Sequence, residues 1–379
     1  MPMKIAVEAQ RIFRPNKHGM DFVALETIRE LQKIDHDNEY YILVAPGEDR
    51  CIKETDNFHI VEIKCSFYPV WEQIALPRTI RKIQPDILHC TSNTAPLYCS
   101  VPLILTLHDI IFLEKRTHNN KSVYQNLGRY YRRWIVPRIL SRCKQIITVS
   151  QFESRRIRET LHLPEEQVHT IHNGYSHQFH PTPPMYEITK KYIPAKEYLF
   201  FLGNTDPKKN TPCTLKAYSI YLEQSVKPLP LLIADLSEEI IDQILKQEKI
   251  EKIKPMLCYP GYIPHADLPA IYNGAQAFLY PSLRESFGIP ILEAMACGIP
   301  VITSNTSAIP EIAGKHAILI DPCDANAIAS QLLKLEQDVS YRNFQIQYGL
   351  ERVKQFSWQQ TAQELLKVYK RVYGKNSIS

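Results

Sequence analysis

Short, almost wholly apolar runs recur along this chain, and between them lie periodic stretches long enough for one amphipathic helix each. Ile5-Ala6-Val7, Tyr41-Ile42-Leu43-Val44, Ile87-Leu88-His89, Leu103-Ile104-Leu105-Thr106 and Ile146-Ile147-Thr148-Val149 are of strand length. Buried strands alternating with helices make a parallel sheet covered on both faces. The pattern restarts at Tyr198-Leu199-Phe200-Phe201-Leu202 and runs through Leu231-Leu232-Ile233-Ala234 and Ala277-Phe278-Leu279-Tyr280 to Pro300-Val301-Ile302-Thr303. The 379 residues exceed the roughly 250–300 that one core supports, so two α/β domains are expected.

Pro181-Thr182-Pro183-Pro184 suits a connection and cannot sit inside a helix. The boundary is therefore placed near residue 182: a first domain over residues 1–181, a second over 182–356, and a terminal helical segment over 357–379. In that last segment Ala362, Leu365, Leu366 and Tyr369 fall at helical spacing.

No apolar run reaches the ~18 residues that span a bilayer, and the start reads directly into a strand, so no signal peptide is expected. Nine cysteines, an odd number with no Cys-x-x-Cys pair, fit buried thiols in a reducing cytoplasm. Net charge is +5. Its densest part runs from Lys115 to Lys144, where Arg129, Arg132, Arg133, Arg138 and Arg142 occur with no Asp or Glu. Tyr130, Tyr131, Trp134, Ile135 and Ile139 are interleaved there, which fits a core helix with a basic edge or one that docks on anionic lipid. Nucleic acid is not expected, since no recognised module for it occurs.

Two stretches carry chemistry. In the first, residues 280–298, strand, loop, helix and stop follow in order, with Pro290 suited to the first helical turn and Gly298 to its end. Gly288 and Ile289 then lie at a helix N-terminus, where free N–H groups attract anions. Glu285 stands in the loop and Glu293 in the first turn, two acceptors suited to polyol hydroxyls. In the second, Gly203-Asn204-Thr205-Asp206-Pro207-Lys208-Lys209-Asn210 joins a strand to a helix. Its two lysines precede a candidate N-cap, Asn210, and would stabilise a diphosphate. His108 ends an apolar run, at the strand end where open α/β sheets bind ligands. Asp35-His36-Asp37 has the Asp-x-Asp spacing of a metal site but sits in a polar turn, where such residues satisfy local backbone. No metal site is expected. No dinucleotide, Walker, zinc-hydrolase or serine-hydrolase motif occurs.

Glu285 and Glu293 with seven residues between them, Phe287-Gly288 and Pro290 among these, and the tail Glu293-Ala294-Met295-Ala296-Cys297-Gly298 resemble family-4 glycosyltransferases of the GT-B fold. His108-Asp109, Val149-Ser150, Asn173-Gly174 and Gly261-Tyr262-Ile263-Pro264 resemble further landmarks of that family. The resemblance implies two Rossmann-like domains facing across a cleft, with the terminal helix packed back on the first. It implies transfer of a hexose, with retention and without metal or cofactor, from a nucleotide diphospho-sugar to a glycan or lipid-linked acceptor in polysaccharide biosynthesis.

By position, the resemblance assigns His108, Lys208, Lys209 and Glu285 to catalysis, and Gly19, Asn204, Ile263, Phe287, Gly288, Ile289 and Glu293 to the donor. Glu285 is expected on the sugar, Glu293 on the ribose, and His108 near the sugar. The Asp206-Pro207-Lys208-Lys209-Asn210 form resembles mannosyltransferase-like members, so GDP-mannose is the first expectation for the donor, ahead of UDP-glucose or UDP-N-acetylglucosamine. Three departures stand out: a loop before Gly19 with no other glycine, Asn204 where some members carry Arg, and Asp235 where a Gly often ends a strand. A nucleotide-sugar epimerase or hydrolase of the same fold, and a non-catalytic carbohydrate- or lipid-binding protein, are the alternatives. A cytoplasmic protein, peripheral at the inner face of a membrane, is the expected setting.

Overall fold

The computed structural model describes residues 2–15, 17, 19–114 and 123–376. The chain divides into two compact units, residues 1–174 with 357–379, and residues 175–356.

The first unit holds seven strands: β1 (Lys4–Glu8), β2 (Glu39–Val44), β3 (Phe58–Glu62), β4 (Ile87–Cys90), β5 (Leu103–Thr106), β6 (Cys143–Thr148) and β7 (Val168–Thr170). They pair in the order β3-β2-β1-β4-β5-β6-β7, and every pairing is parallel. Successive side chains of a strand point to opposite faces. Ile5 and Val7 accordingly join one apolar core with the helices Gly19–Ile34 and Trp358–Asn376, and Ala6 joins the other with the helices Leu76–Ile83 and Val123–Leu140. The terminal helix is pinned by a buried bond between the Tyr369 hydroxyl and His89 Nδ1, 2.8 Å.

The chain leaves the first unit at Gly174 and returns at Ser357. A Cβ on Gly174 would lie 2.1 Å from the backbone nitrogen of Trp358, so only glycine fits this close approach. The crossing thus precedes the proline-rich segment by several residues. The reason is packing: Phe179 is buried in the second unit, edge-on to Tyr272, and the backbone N–H of Thr182 donates to Asn273 Oδ1.

The second unit has six parallel strands: β8 (Tyr198–Leu202), β9 (Leu231–Ala234), β10 (Leu257–Gly261), β11 (Ala275–Tyr280), β12 (Val301–Ser304) and β13 (Ile318–Ile320). Their order is β10-β9-β8-β11-β12-β13. The order in which successive strands are added reverses across the sheet between β8 and β11 here, and between β1 and β4 in the first unit. Such switch points open a crevice at the carboxyl ends of the strands.

Asp35 makes the local turn expected of it. Its carboxylate accepts from the Tyr40 hydroxyl at 2.5 Å and from Asn38 Nδ2 at 2.7 Å, and also from the backbone of Asp37 and Asn38.

Candidate active site

The loops that follow β8 and β11 are knitted together at the switch point of the second unit. Gly203 follows β8 where a Cβ would press within 2.7 Å of Leu236 Cδ1. Asn204 Oδ1 then accepts from the N–H of Asp206, and Asp206 Oδ1 from that of Lys208, winding the chain into the single turn Pro207–Lys209. Asn210 precedes the helix Thr211–Gln224 but does not cap it as expected. Its left-handed backbone (φ 60°) turns the side chain away, and Nδ2 donates instead to the carbonyls of Pro281 and Pro322.

This winding aims Lys209 across the gap. Its ammonium lies 2.7 Å from Glu285 Oε1 and 2.7 Å from the hydroxyl of Tyr280, the last residue of β11. Burial would raise the pKa of Glu285, but the charges of Lys209 and Lys208 and the bond from Lys209 outweigh it and hold the carboxyl below its usual range. Burial, then the neighbouring Glu285, pushes the Tyr280 phenol far up, so it stays neutral. The four side chains form a cation and an acceptor set side by side. Asn204, exposed at the mouth of the same loop, is spent on its own turn.

Gly288 has φ 105°, a conformation that favours glycine, and starts the helix Ile289–Ala296 with Pro290 in its first turn. Phe287 is buried, edge-on to Phe356, so it shapes the loop from below. Glu293 falls one turn into the helix, past the first turn expected for it. Its Oε2 accepts from the Tyr272 hydroxyl at 3.4 Å, and Oε1 lies 3.7 Å from His265 Nε2. Ile263 is buried, so that residue can offer a base only its backbone. The ring of its neighbour Tyr262, in the same landmark, is exposed.

Asp235 is one of the departures from the family pattern. It takes a left-handed backbone (φ 62°), the conformation a glycine would supply and one that Asp tolerates better than most residues. Its pKa is raised by burial and drawn back by Lys209, which brings this acid into the field of the Lys209–Glu285 pair.

In the first unit, His108 lies just past β5 and is buried. Its backbone N–H donates to Asn93 Oδ1, and Nε2 is 3.0 Å from the carbonyl of Thr91. A carbonyl only accepts, so Nε2 carries the proton and Nδ1 is the acceptor. Burial, only partly offset by the Thr91 bond, lowers the pKa and keeps the ring neutral. Thr91 in turn donates its N–H to Glu8 Oε2. Glu8 is the residue sequence reasoning passed over: burial first, then Glu72 nearby, pushes its pKa up to about 7. The available signal was an acid ending a buried central strand. Glu72 sits on the π-turn Trp71–Ala75 and accepts from Tyr68, Thr94 and Tyr131. Gly19 begins its helix with open space around it.

Of the basic stretch, residues 115–122 lie outside the described residues. The helix Val123–Leu140 buries Ile135, Val136 and Ile139 and exposes Leu127, Tyr130 and Trp134, at 63%, 70% and 49%. Arg138 lies over the Trp134 ring at 4.7 Å, and Arg142 over the exposed ring of Tyr98 at 4.6 Å. Among the described residues no helix is long and apolar enough to cross a membrane.

Residues 18–179 match the profile described as Glycosyltransferase Family 4, and residues 187–352 match Glycosyl transferases group 1. The O-antigen chain mannosyltransferase B of Escherichia coli is 32% identical over 274 residues, 70% of each chain. The serotype-specific mannosyltransferase WbdA of Escherichia coli is 26% identical over 76% of this chain, which spans only 37% of that longer protein. Among solved structures, sucrose-phosphate synthase from Thermosynechococcus elongatus superposes with a TM-score of 0.74 at 16% identity, covering 98% of this chain and 100% of that one. Anabaena Alr3699/HepE in complex with UDP-glucose gives 0.73 at 15%, covering 97% and 100%.

Proposed function

The chain belongs to the family-4 glycosyltransferases of the GT-B fold, and from that premise we propose that it moves mannose from GDP-mannose, with retention, to a glycan or lipid-linked acceptor. The observation that carries the reading is the Lys209–Glu285 pair at the switch point of the second unit. A cation beside the leaving diphosphate stabilises the charge that develops as the glycosidic bond breaks. The adjacent carboxylate accepts from sugar hydroxyls, and Lys208 adds charge in the same turn. Glu293 holds the ribose, the N–H groups around Gly288 and Ile289 face the phosphates, and neutral His108 offers Nδ1 to the transferred sugar. A leaving-phosphate oxygen takes the acceptor proton on the face where the new bond forms.

The choice of mannose rests on the mannosyltransferase relatives and on the Lys208-Lys209 form of the clamp. UDP-glucose and UDP-N-acetylglucosamine are the alternatives. Because two lysines supply the cationic charge, we infer that no divalent ion is required. The exposed aromatic and basic face of Val123–Leu140 supports a peripheral position on an anionic membrane at its cytoplasmic side.

The test is a panel of nucleotide sugars read first by thermal shift. A donor at 100 times its dissociation constant should add about 2.7 kcal/mol of stability. Turnover with the stabilising donor, with and without a strong chelator, follows, and NMR of the product reads the anomeric configuration. Failure of GDP-mannose to stabilise the protein, or loss of activity on chelation that manganese restores, overturns the corresponding part.

A further inference from the structure

The carboxylate of Glu293 is held from two sides by groups that leave most of its acceptor capacity unused. The buried Tyr272 hydroxyl donates to Oε2 at 3.4 Å, and His265 Nε2 lies 3.7 Å from Oε1. The second distance is too long for a direct hydrogen bond, yet it is short enough for a directed electrostatic contact. A carboxylate has about four lone-pair positions, so both oxygens can still receive hydroxyls.

The imidazole is itself oriented. Its Nδ1 is 2.9 Å from Nε2 of Gln178. An amide nitrogen only donates, so Nδ1 accepts and the ring proton sits on Nε2, facing Glu293. Phe179 meets the His265 ring edge-on at 5.5 Å and the Tyr272 ring at 5.8 Å, which fixes the rings that flank the acid. Gln178 and Phe179 belong to the first residues of the second unit, a segment that the sequence reading assigns to the first domain.

We propose that His265, oriented by Gln178 and Phe179, is the positioning residue that sets Glu293 to receive the two ribose hydroxyls, and so fixes the preference for ribonucleotides. The proposal rests on the ribose reading of Glu293. An orienting partner one step removed from the ligand fixes the direction of the group that touches it, much as outer partners orient metal ligands. Removing the partner frees the carboxylate to rotate, and the paired contact is lost while phosphate and base contacts stay.

The experiment uses the full chain and calorimetry with GDP or UDP, whichever binds more tightly, beside its 2′-deoxy form. The wild type should favour the ribo form about tenfold or more. His265→Ala should weaken the ribo form about fivefold or more, leave the deoxy form nearly unchanged, and raise the donor KM more than it lowers kcat. His265→Gln, whose amide returns an N–H near the position of Nε2, should recover part of the preference, and Gln178→Ala should show a smaller loss of it. If the wild type does not distinguish the two forms, the ribose reading of Glu293 fails. If the wild type does distinguish them and His265→Ala keeps the same ratio, only the present proposal fails. Equal weakening of both forms, with no recovery in His265→Gln, marks His265 as structural and overturns the proposal as well.

Discussion

Lys209 and Glu285, 76 residues apart in the chain, meet at 2.7 Å where the loops after β8 and β11 converge. Neither is more than one-sixth exposed, so each is the other's main compensation. Lys209→Ala should lower turnover about 100-fold or more, as loss of one preorganised charge-stabilising donor does. The sign of the pH effect follows from the same pair. Lys209 depresses the Glu285 pKa against burial, so without it the carboxyl protonates at higher pH, and the acid limb of the pH–rate profile should move upward. Wild-type turnover and an unmoved acid limb would remove the pair from the mechanism.

Glu293 and Glu285 should divide the donor between them. Glu293→Ala loses a paired contact to adjacent hydroxyls and should weaken every ribonucleoside diphosphate while barely altering preference among sugars. Glu285→Gln keeps its shape and should reduce turnover more than affinity for the free nucleoside diphosphate. Calorimetry beside steady-state kinetics separates them, and equal weakening of the free nucleotide by both variants contradicts the division.

Glu8 should make the first unit sensitive to pH near neutrality. Its folded pKa is about 7, above the ordinary value of 4.5, with burial the main cause. A carboxyl raised on folding contributes its full stability below about 4.5 and loses it as pH rises through about 7. Glu8→Gln removes this titration. The melting temperature of the variant relative to wild type should therefore be higher at pH 8 than at pH 5, and a difference that does not change with pH would contradict the shift.

The helix Val123–Leu140 should bring the protein to anionic vesicles. Trp134→Ser with Tyr130→Ser removes the aromatic contacts, and Arg138→Gln with Arg142→Gln removes about 1 kcal/mol of attraction per charge near the surface. Both pairs should reduce co-sedimentation with phosphatidylglycerol vesicles, the charge pair losing its effect at high salt. Binding to neutral vesicles as strong as to anionic ones would rule out the electrostatic part.

The two sheets were legible because buried parallel strands must be apolar throughout, and runs such as Tyr198–Leu202 leave little alternative. The place of Lys208 and Lys209 past the carboxyl end of a strand was legible because they follow such a strand closely. The Asn210 cap was not, since a left-handed residue that bridges two other loops depends on Pro281 and Pro322, far away in sequence. The boundary was misplaced for a related reason. Prolines announce a stiff segment, but where a domain begins is decided by what Phe179 packs against. Glu8 and His265 were invisible because an ordinary acid and an ordinary histidine gain their character only from what folding places around them.

The near-contact of Gly174 with Trp358 closes the first unit around the point where the second departs. The chain ends at which the second unit departs and returns lie together, so in topological terms the second unit is a guest inserted in a loop of its host, and the host's polypeptide closes on itself without it. Domain insertions succeed where the host's ends already lie together, and lengthening such a loop costs little, about 0.6 kcal/mol per doubling. The second unit could therefore be exchanged for a relative's, or replaced by a short bridge from Gly174 to Ser357, with the host sheet and its terminal helix left whole. A cut after residue 174 would do the opposite, stripping the host of the helix that covers β1.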